Sequence, residues 1–185
     1  MNFPILATVI SMVLGLSVTR LLLGLVTLFR IRRKSAVDWV PLVWSGILFI
    51  TQLQYWWAIN QLPALRQSFQ FGEFLFLVAT TLMLFLTAAL LLPSRSEDET
   101  DGLRAYFEQD GRYALLSLTG YLLLGFVVNL FEFQGSLDAA WAFTDIPLII
   151  LPVLAFILRE RKYYAAITLV YVPLSALDIW ISNWS

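Results

Sequence analysis

Two aspartates interrupt long apolar stretches near the C-terminal end of the chain. Asp145 stands in the fifth apolar run of the sequence and Asp178 in the sixth. Ionisable side chains inside membrane segments are rare, and they mark ion or proton sites. Pro147 and Pro152 follow Asp145, and a proline inside a helix frees a backbone carbonyl one turn back. This arrangement predicts a pocket for a cation, a proton or an amine-bearing solute, with Asp145 as its central ligand.

Three polar residues from other apolar runs are predicted on the same side of the membrane as this pair. They are Gln52, Glu73 and Asn129. In the functional interpretation they complete an outward-facing acidic pocket. In the structural interpretation they make ordinary hydrogen bonds between helices, each worth only about 0.6 kcal/mol on average. Both interpretations stay open at the level of the sequence.

A row of polar side chains runs along the sixth apolar stretch. Its members are spaced by intervals of three and four, which places them on one face of a helix. A continuous polar face in a membrane helix meets other helices or water rather than lipid. We call this row the polar seam; besides Asp178 it contains Tyr164, Thr168, Tyr171 and Ser175.

The first apolar run carries a buried charge and a stripe of small residues. Arg20 lies about 13 Å from the boundary predicted at Phe29, given a helix rise of about 1.5 Å per residue. It therefore needs a carboxylate, a carbonyl or water, either in an ion site or in a structural pair. Small residues every fourth position favour close helix packing, within the chain or with a second copy. This stripe consists of Ala7, Ser11, Gly15 and Thr19.

Composition determines the elements that must position these residues. Only 14% of the residues are charged and 59% are hydrophobic, whereas a soluble domain carries roughly 25% charged residues. About 20 apolar residues span a membrane as a helix. The predicted fold is all-α, one polytopic membrane bundle over residues 1–185. Its six transmembrane helices are Ile5–Phe29, Trp39–Ile59, Phe71–Leu92, Tyr113–Phe133, Ala139–Leu158 and Tyr163–Ser182.

Positive charge predicts the orientation of this bundle. Ten of the twelve Lys and Arg residues fall in the first, third and fifth links, and only Arg66 falls in the second or fourth. Cytoplasmic links carry the excess of Lys and Arg. Both termini are therefore predicted to face outward.

Several classes of chemistry are excluded because the chain contains neither cysteine nor histidine. Thiolate and imidazole metal sites, iron–sulfur clusters, histidine-ligated haem and Ser-His or Cys-His nucleophiles all require those residues. We expect no metal, no cofactor and no catalytic residue. Nucleic acid is not an expected partner either, because no basic run interleaves with aromatic residues.

The segment Gly15–Gly24 reads Gly-Leu-Ser-Val-Thr-Arg-Leu-Leu-Leu-Gly, and a basic link and the segment Gln52–Trp57 follow it. This pattern, over the first third of the chain, resembles a group of small bacterial multi-pass membrane proteins without an assigned function. The resemblance implies a bacterial inner-membrane protein and implies no activity.

The leading functional hypothesis is a small channel or transporter for a cation or a small polar solute. The alternative is a non-transporting membrane scaffold or accessory subunit, whose polar residues hold helices together or dock a membrane-protein partner. A membrane enzyme ranks third, for want of a catalytic constellation. Besides membrane lipids, a second copy of the chain is the expected partner, because six helices make a thin bundle and the small-residue stripe offers a contact face.

Overall fold

The computed structural model describes residues 3–31, 37–65, 69–93, 102–131 and 140–184. This described part of the chain contains helices and no strand, so the all-α prediction is confirmed. Six long helices coincide with the six apolar runs to within a few residues at most ends. The helices are α1 (Phe3–Ile31), α2 (Trp39–Leu65), α3 (Phe71–Leu91), α4 (Leu103–Tyr106), α5 (Tyr113–Phe131), α6 (Ala140–Ile157) and α7 (Arg161–Trp184).

Three of these helices are long and apolar enough to cross a membrane, which makes the chain an integral membrane protein. They are Phe3–Arg30, Phe71–Leu91 and Arg161–Ile181, and a fourth is counted when Leu103–Gly111 and Tyr113–Val128 form one bent span. The apolar helix Phe143–Ile157 is shorter. Helix α2 is long but carries several Gln, Asn and Trp residues, which lower its hydropathy. Six spans and their orientation stay predictions.

The chain divides into two compact units, Met1–Ala114 and Leu115–Ser185. In the first unit α1 and α3 pack closely and run parallel. The rings of Phe3 and Phe69 lie 6.4 Å apart at one end of the pair, and Arg20 contacts Leu92 at the other. Helix α2 runs in the opposite direction and packs against both α1 and α3. Its first turn is capped by Asp38, whose Oδ1 accepts from the Val40 amide at 3.0 Å.

Helix α1 meets its neighbours through a face other than the small-residue stripe. The buried side of α1 is spaced by threes and fours and consists of Leu6, Ile10, Leu14, Ser17, Leu21, Gly24 and Leu28. Ser11, Gly15 and Thr19 are exposed on the opposite side, and Ala7 is half-buried. Among the described residues of the first unit, the stripe is therefore not the face through which α1 packs.

A short helical element follows α3. Helix α4 continues into a π-helical turn, Phe107–Gly111, which packs against α3. Leu103, Phe107 and Gly111 are buried at intervals of four, so the apolar face of this element covers protein. The chain enters it through Gly102, whose φ of 91° suits a residue without a Cβ.

The second unit contains most of α5 together with α6 and α7. Helices α6 and α7 pack against each other, and the link between them is only residues 158–160. So short a link makes the two helices an antiparallel hairpin. The buried side of α6 is Thr144, Leu148, Pro152 and Ala155, and that of α7 is Tyr164, Thr168 and Tyr171.

Candidate functional site

The α6–α7 hairpin brings the two membrane aspartates together. Thr144 Oγ1 donates a hydrogen bond of 2.7 Å to Asp178 Oδ1. Asp145 is the next residue of α6 after Thr144, so its carboxyl group is a neighbour of Asp178. Both carboxyl groups are half-buried. We call Thr144, Asp145 and Asp178 the carboxyl pair site.

The proximity of the two aspartates determines the chemistry that this site can offer. An ionised carboxylate only accepts hydrogen bonds, so two neighbouring carboxyl groups can bond to each other only when one of them carries a proton. Two carboxyl groups placed in this way can share one proton or hold one cation between them. Tyr171 lies seven residues before Asp178, on the same face of α7, and is only 3% exposed.

The polar seam leads from this site along α7. Tyr164, Thr168 and Tyr171 are buried, and Ser175 is half-buried. Two of its hydroxyls bond to their own helix, Thr168 to the Tyr164 carbonyl at 2.7 Å and Ser175 to the Val172 carbonyl at 2.9 Å. Within the hairpin the seam is thus a packed face of α7, and it becomes more exposed toward Asp178.

Prolines inside both helices add oxygen acceptors to the hairpin. Pro147 and Pro152 lie inside α6, and Pro173 lies inside α7. Each proline lacks the amide hydrogen that would bond the carbonyl four residues earlier. In α6 these carbonyls belong to Phe143 and Leu148, which flank Asp145 in sequence.

Arg20 finds its partners at the end of α3. Its Nη2 donates to the carbonyls of Ala89 and Leu92, both at 2.9 Å. The last carbonyls of a helix have no partner within the helix, and the helix dipole makes this end negative. Tyr106 donates to the neighbouring Leu90 carbonyl at 2.9 Å. Arg20 is therefore a cap for α3, and carbonyls are among the partners the sequence predicted for it.

Polar residues of α2 are also used between helices. Gln52 is fully buried, and its Nε2 donates to Ser17 Oγ of α1 at 2.7 Å. One turn later, the Tyr55 hydroxyl lies 2.9 Å from the Leu77 carbonyl and 3.0 Å from Thr81 Oγ1 of α3. These contacts tie α2 to both of its neighbours in the first unit.

We expect Tyr55→Phe to destabilise the first unit by about 1 kcal/mol, the net value of a typical buried hydrogen bond. Thr81 keeps its own bond to the Leu77 carbonyl at 2.8 Å, which limits the loss. Thermal unfolding in detergent measures the change. Tyr163→Phe, which removes a hydroxyl from a side chain that is 43% exposed, is the matched control and should leave the midpoint unchanged.

The remaining predicted residues lie elsewhere. Glu73 is in the first turn of α3, where its Oε2 accepts from the Gln70 amide at 2.9 Å and caps the helix. Asn129 belongs to the last turns of α5, and its side chain is outside the described residues. Gln52 and Glu73 belong to the first unit, and Asp145 and Asp178 to the second.

Sequence reasoning does not single out three contributors to these contacts. Thr144 gives no signal beyond its place beside Asp145, and Tyr106 reads as an interfacial aromatic residue. The contact of Gly24 with Leu92 depends on the register between α1 and α3, for which the sequence carries no mark. Across the described residues no three acidic side chains converge on a common point.

A comparison of the chain with protein families, curated proteins and solved structures found no match.

Proposed function

We propose that the chain is a small membrane carrier or channel for protons or small cations, and that the carboxyl pair site binds them. The observation that carries the proposal is the 2.7 Å hydrogen bond from Thr144 to Asp178 within an apolar hairpin, which brings Asp178 to the residue beside Asp145. Acidic residues held inside membrane segments are characteristic of ion and proton sites. As part of the proposal, the protein lies in a bacterial inner membrane with six spans and both termini outward, and it forms a homo-oligomer.

In this proposal, the carboxyl pair releases a proton and binds a cation in its place. When both carboxyl groups are ionised, two negative charges stand close together, and like charges this close repel strongly. A monovalent cation that binds between the carboxylates removes that repulsion. The Thr144 hydroxyl and the carbonyls of Phe143 and Leu148 are further oxygen ligands on the same helix. Binding of the proton and binding of the cation therefore exclude each other.

Flux measurements on purified protein in lipid vesicles test this proposal. We expect proton or monovalent-cation flux above that of empty vesicles, and we expect Asp178→Asn to reduce it at least tenfold. The asparagine keeps the shape and the bond from Thr144 but cannot ionise. Asp145→Asn should act in the same way.

Glu73→Gln is the control, because it neutralises a carboxylate that caps α3 in the first unit. It should leave the flux unchanged. Wild-type flux no greater than that of empty vesicles would contradict the proposal, and so would aspartate variants that conduct like the wild type.

Access of water to the polar seam provides a separate prediction. The chain has no cysteine, so single cysteines at Thr168, Tyr171 and Ser175 report without background. A membrane-impermeant thiol reagent should label Ser175→Cys fastest, Tyr171→Cys more slowly and Thr168→Cys slowest, following their burial. Val172→Cys is the control, since Val172 is on the exposed apolar side of α7. A seam that labels no faster than this control is dry, which would contradict the proposed access.

A second candidate function, a membrane scaffold or accessory subunit, is favoured by the first unit. Arg20, Gln52 and Tyr55 all serve contacts between helices there. In this proposal the polar residues hold the bundle together and the chain docks a membrane-protein partner. A partner that co-purifies in fixed ratio, with no flux in vesicles, would support the scaffold over the carrier.

A further inference from the structure

The buried carboxamide of Gln52 has two polar atoms, of which one makes a hydrogen bond and the other does not. Its Nε2 donates to Ser17 Oγ, and the residue is fully shielded from solvent. In the part of the chain that the structure describes, no donor reaches Gln52 Oε1. Buried polar side-chain atoms nearly always have a partner, because an unmet acceptor costs free energy in an apolar surrounding. The unbonded oxygen therefore indicates a bound molecule that donates a hydrogen bond to it.

The hydrogen-bonding groups of Gln52 and Ser17 define what this bound molecule must be. Oε1 needs a donor, and the Ser17 hydroxyl, which accepts from Nε2, keeps a hydrogen to donate. Turning the amide by half a rotation exchanges its ends. Ser17 then donates to Oε1, and the nitrogen becomes the end that needs an acceptor. A molecule that both donates and accepts satisfies the site in either orientation.

We propose that Gln52 and Ser17 bind one internal water molecule between α1 and α2. Buried waters typically make about three hydrogen bonds to polar groups that protein atoms leave unmet. The site is in the first unit and does not depend on the carboxyl pair or on transport. It makes the junction of α1 and α2 a hydrated contact within a bundle whose adjacent buried residues are Leu14, Leu21 and Leu48.

A metal cation fits this place less well than water. Hard cations take roughly six or more oxygen ligands, and Gln52 and Ser17 supply two. A cation also satisfies only the oxygen end of the amide. Water serves both ends and needs no compensating charge, and the neighbouring leucines provide none.

The direct test is a high-resolution structure of the wild-type protein in lipid. We expect an oxygen-sized density peak at hydrogen-bond distance, about 2.6–3.2 Å, from the free end of the Gln52 amide. The peak should disappear in Gln52→Met, which has nearly the same length. Absence of a wild-type peak would overturn the proposal, and so would a protein donor at that position or a peak surrounded by six oxygens.

Thermal stability provides a second test. The expected change in the unfolding midpoint of a double variant differs according to whether a water molecule is bound to the Gln52 amide. The double variant Ser17→Ala/Gln52→Met removes both partners of the direct bond together with the water site. If water satisfies the amide, the variant loses favourable bonds and its unfolding midpoint should fall by several degrees. If the acceptor is unmet, the variant removes a penalty and the midpoint stays or rises, which would overturn the proposal.

Thr87→Val is the matched control for this measurement. Thr87 is buried, and its hydroxyl bonds to the Met83 carbonyl of its own helix at 2.8 Å. Its removal takes away a buried hydroxyl without touching a bond between helices. We expect the midpoint of this variant to stay within about 2 °C of the wild type. The structural test uses the wild type alone and stands even if the double variant fails to fold.

Discussion

Replacement of Arg20 by leucine should lower the stability of the protein by about 3 kcal/mol. Two bonds from a charged donor, each worth at least about 1.5 kcal/mol, are lost, and the Ala89 and Leu92 carbonyls lose their donor. For a chain of this size the loss corresponds to a fall of about 6–12 °C in the unfolding midpoint. Thermal unfolding in detergent measures it.

Arg20→Lys separates charge from geometry. Lysine keeps the positive charge at the end of α3 but cannot reproduce the planar donor group of arginine. We expect it to recover about half of the loss. Arg104→Leu is the control, since it breaks an exposed 2.8 Å ion pair with Glu108, of a kind worth about 0–1 kcal/mol. If Arg20→Leu is no worse than this control, Arg20 is not the cap described here.

Gly24→Ala should produce the second large effect, because α1 and the end of α3 touch at this residue. A Cβ on Gly24 would lie 2.7 Å from Leu92 Cβ and 3.0 Å from Leu92 Cδ1. The Cβ of Leu92 is fixed to the backbone, so a rotamer change cannot relieve the first contact. Separation of the two helices is the remaining response. Overpacking of this kind costs about 1–3 kcal/mol.

Gly15→Ala is the matched control on the same helix. Nothing lies within 4 Å of the place its Cβ would take, and alanine is the better helix former. We expect it to be neutral or slightly stabilising in the monomer. Combined with Arg20→Leu, Gly24→Ala should cost less than the sum of the two, because both act on Leu92. Equal effects of Gly24→Ala and Gly15→Ala would contradict the contact.

The sequence predicts the helices well because the spanning length of an apolar run is a strong physical constraint. The runs beginning at Trp39, Phe71 and Tyr113 start at the first residue of a helix in the structure. The number of spans is harder to derive. Helix α2 has the length of a span, but Gln52, Gln54 and neighbouring tryptophans reduce its hydropathy, and length alone does not decide where such a helix lies.

The packing face of α1 could not be derived from residue type. In lipid the tails are as apolar as leucine, so leucine rows and small-residue rows are both plausible contact faces. The structure uses the row that contains Leu6, Ser17 and Gly24, whereas the more regular row of small residues is exposed except at its half-buried first member. The polar Ser17 and the small Gly24 within the leucine row are the signals that, in retrospect, distinguish it.

The partners of Arg20 show a second limit. Burial cost alone predicts that the guanidinium needs a carboxylate, a carbonyl or water. The choice among them depends on how far α3 slides along α1, and no residue spacing encodes that register. For Asp145 and Asp178 the short α6–α7 link constrains the register, since it forces the two helices to lie antiparallel. Sequence reasoning therefore places both acids near the same end of the hairpin.

The contact between Arg20 and the end of α3 also affects how the helices enter the membrane during synthesis. Arg20 precedes its two acceptors by 69 and 72 residues. During synthesis α1 enters the membrane while Ala89 and Leu92 are still absent, and an arginine in a lone membrane helix costs about 3 kcal/mol on insertion scales. The arrival of α3 removes that cost. The contact that stabilises Arg20 thus forms only after α3 has been made, and a nascent chain that stops before α3 should retain α1 in the membrane less firmly than one that includes it.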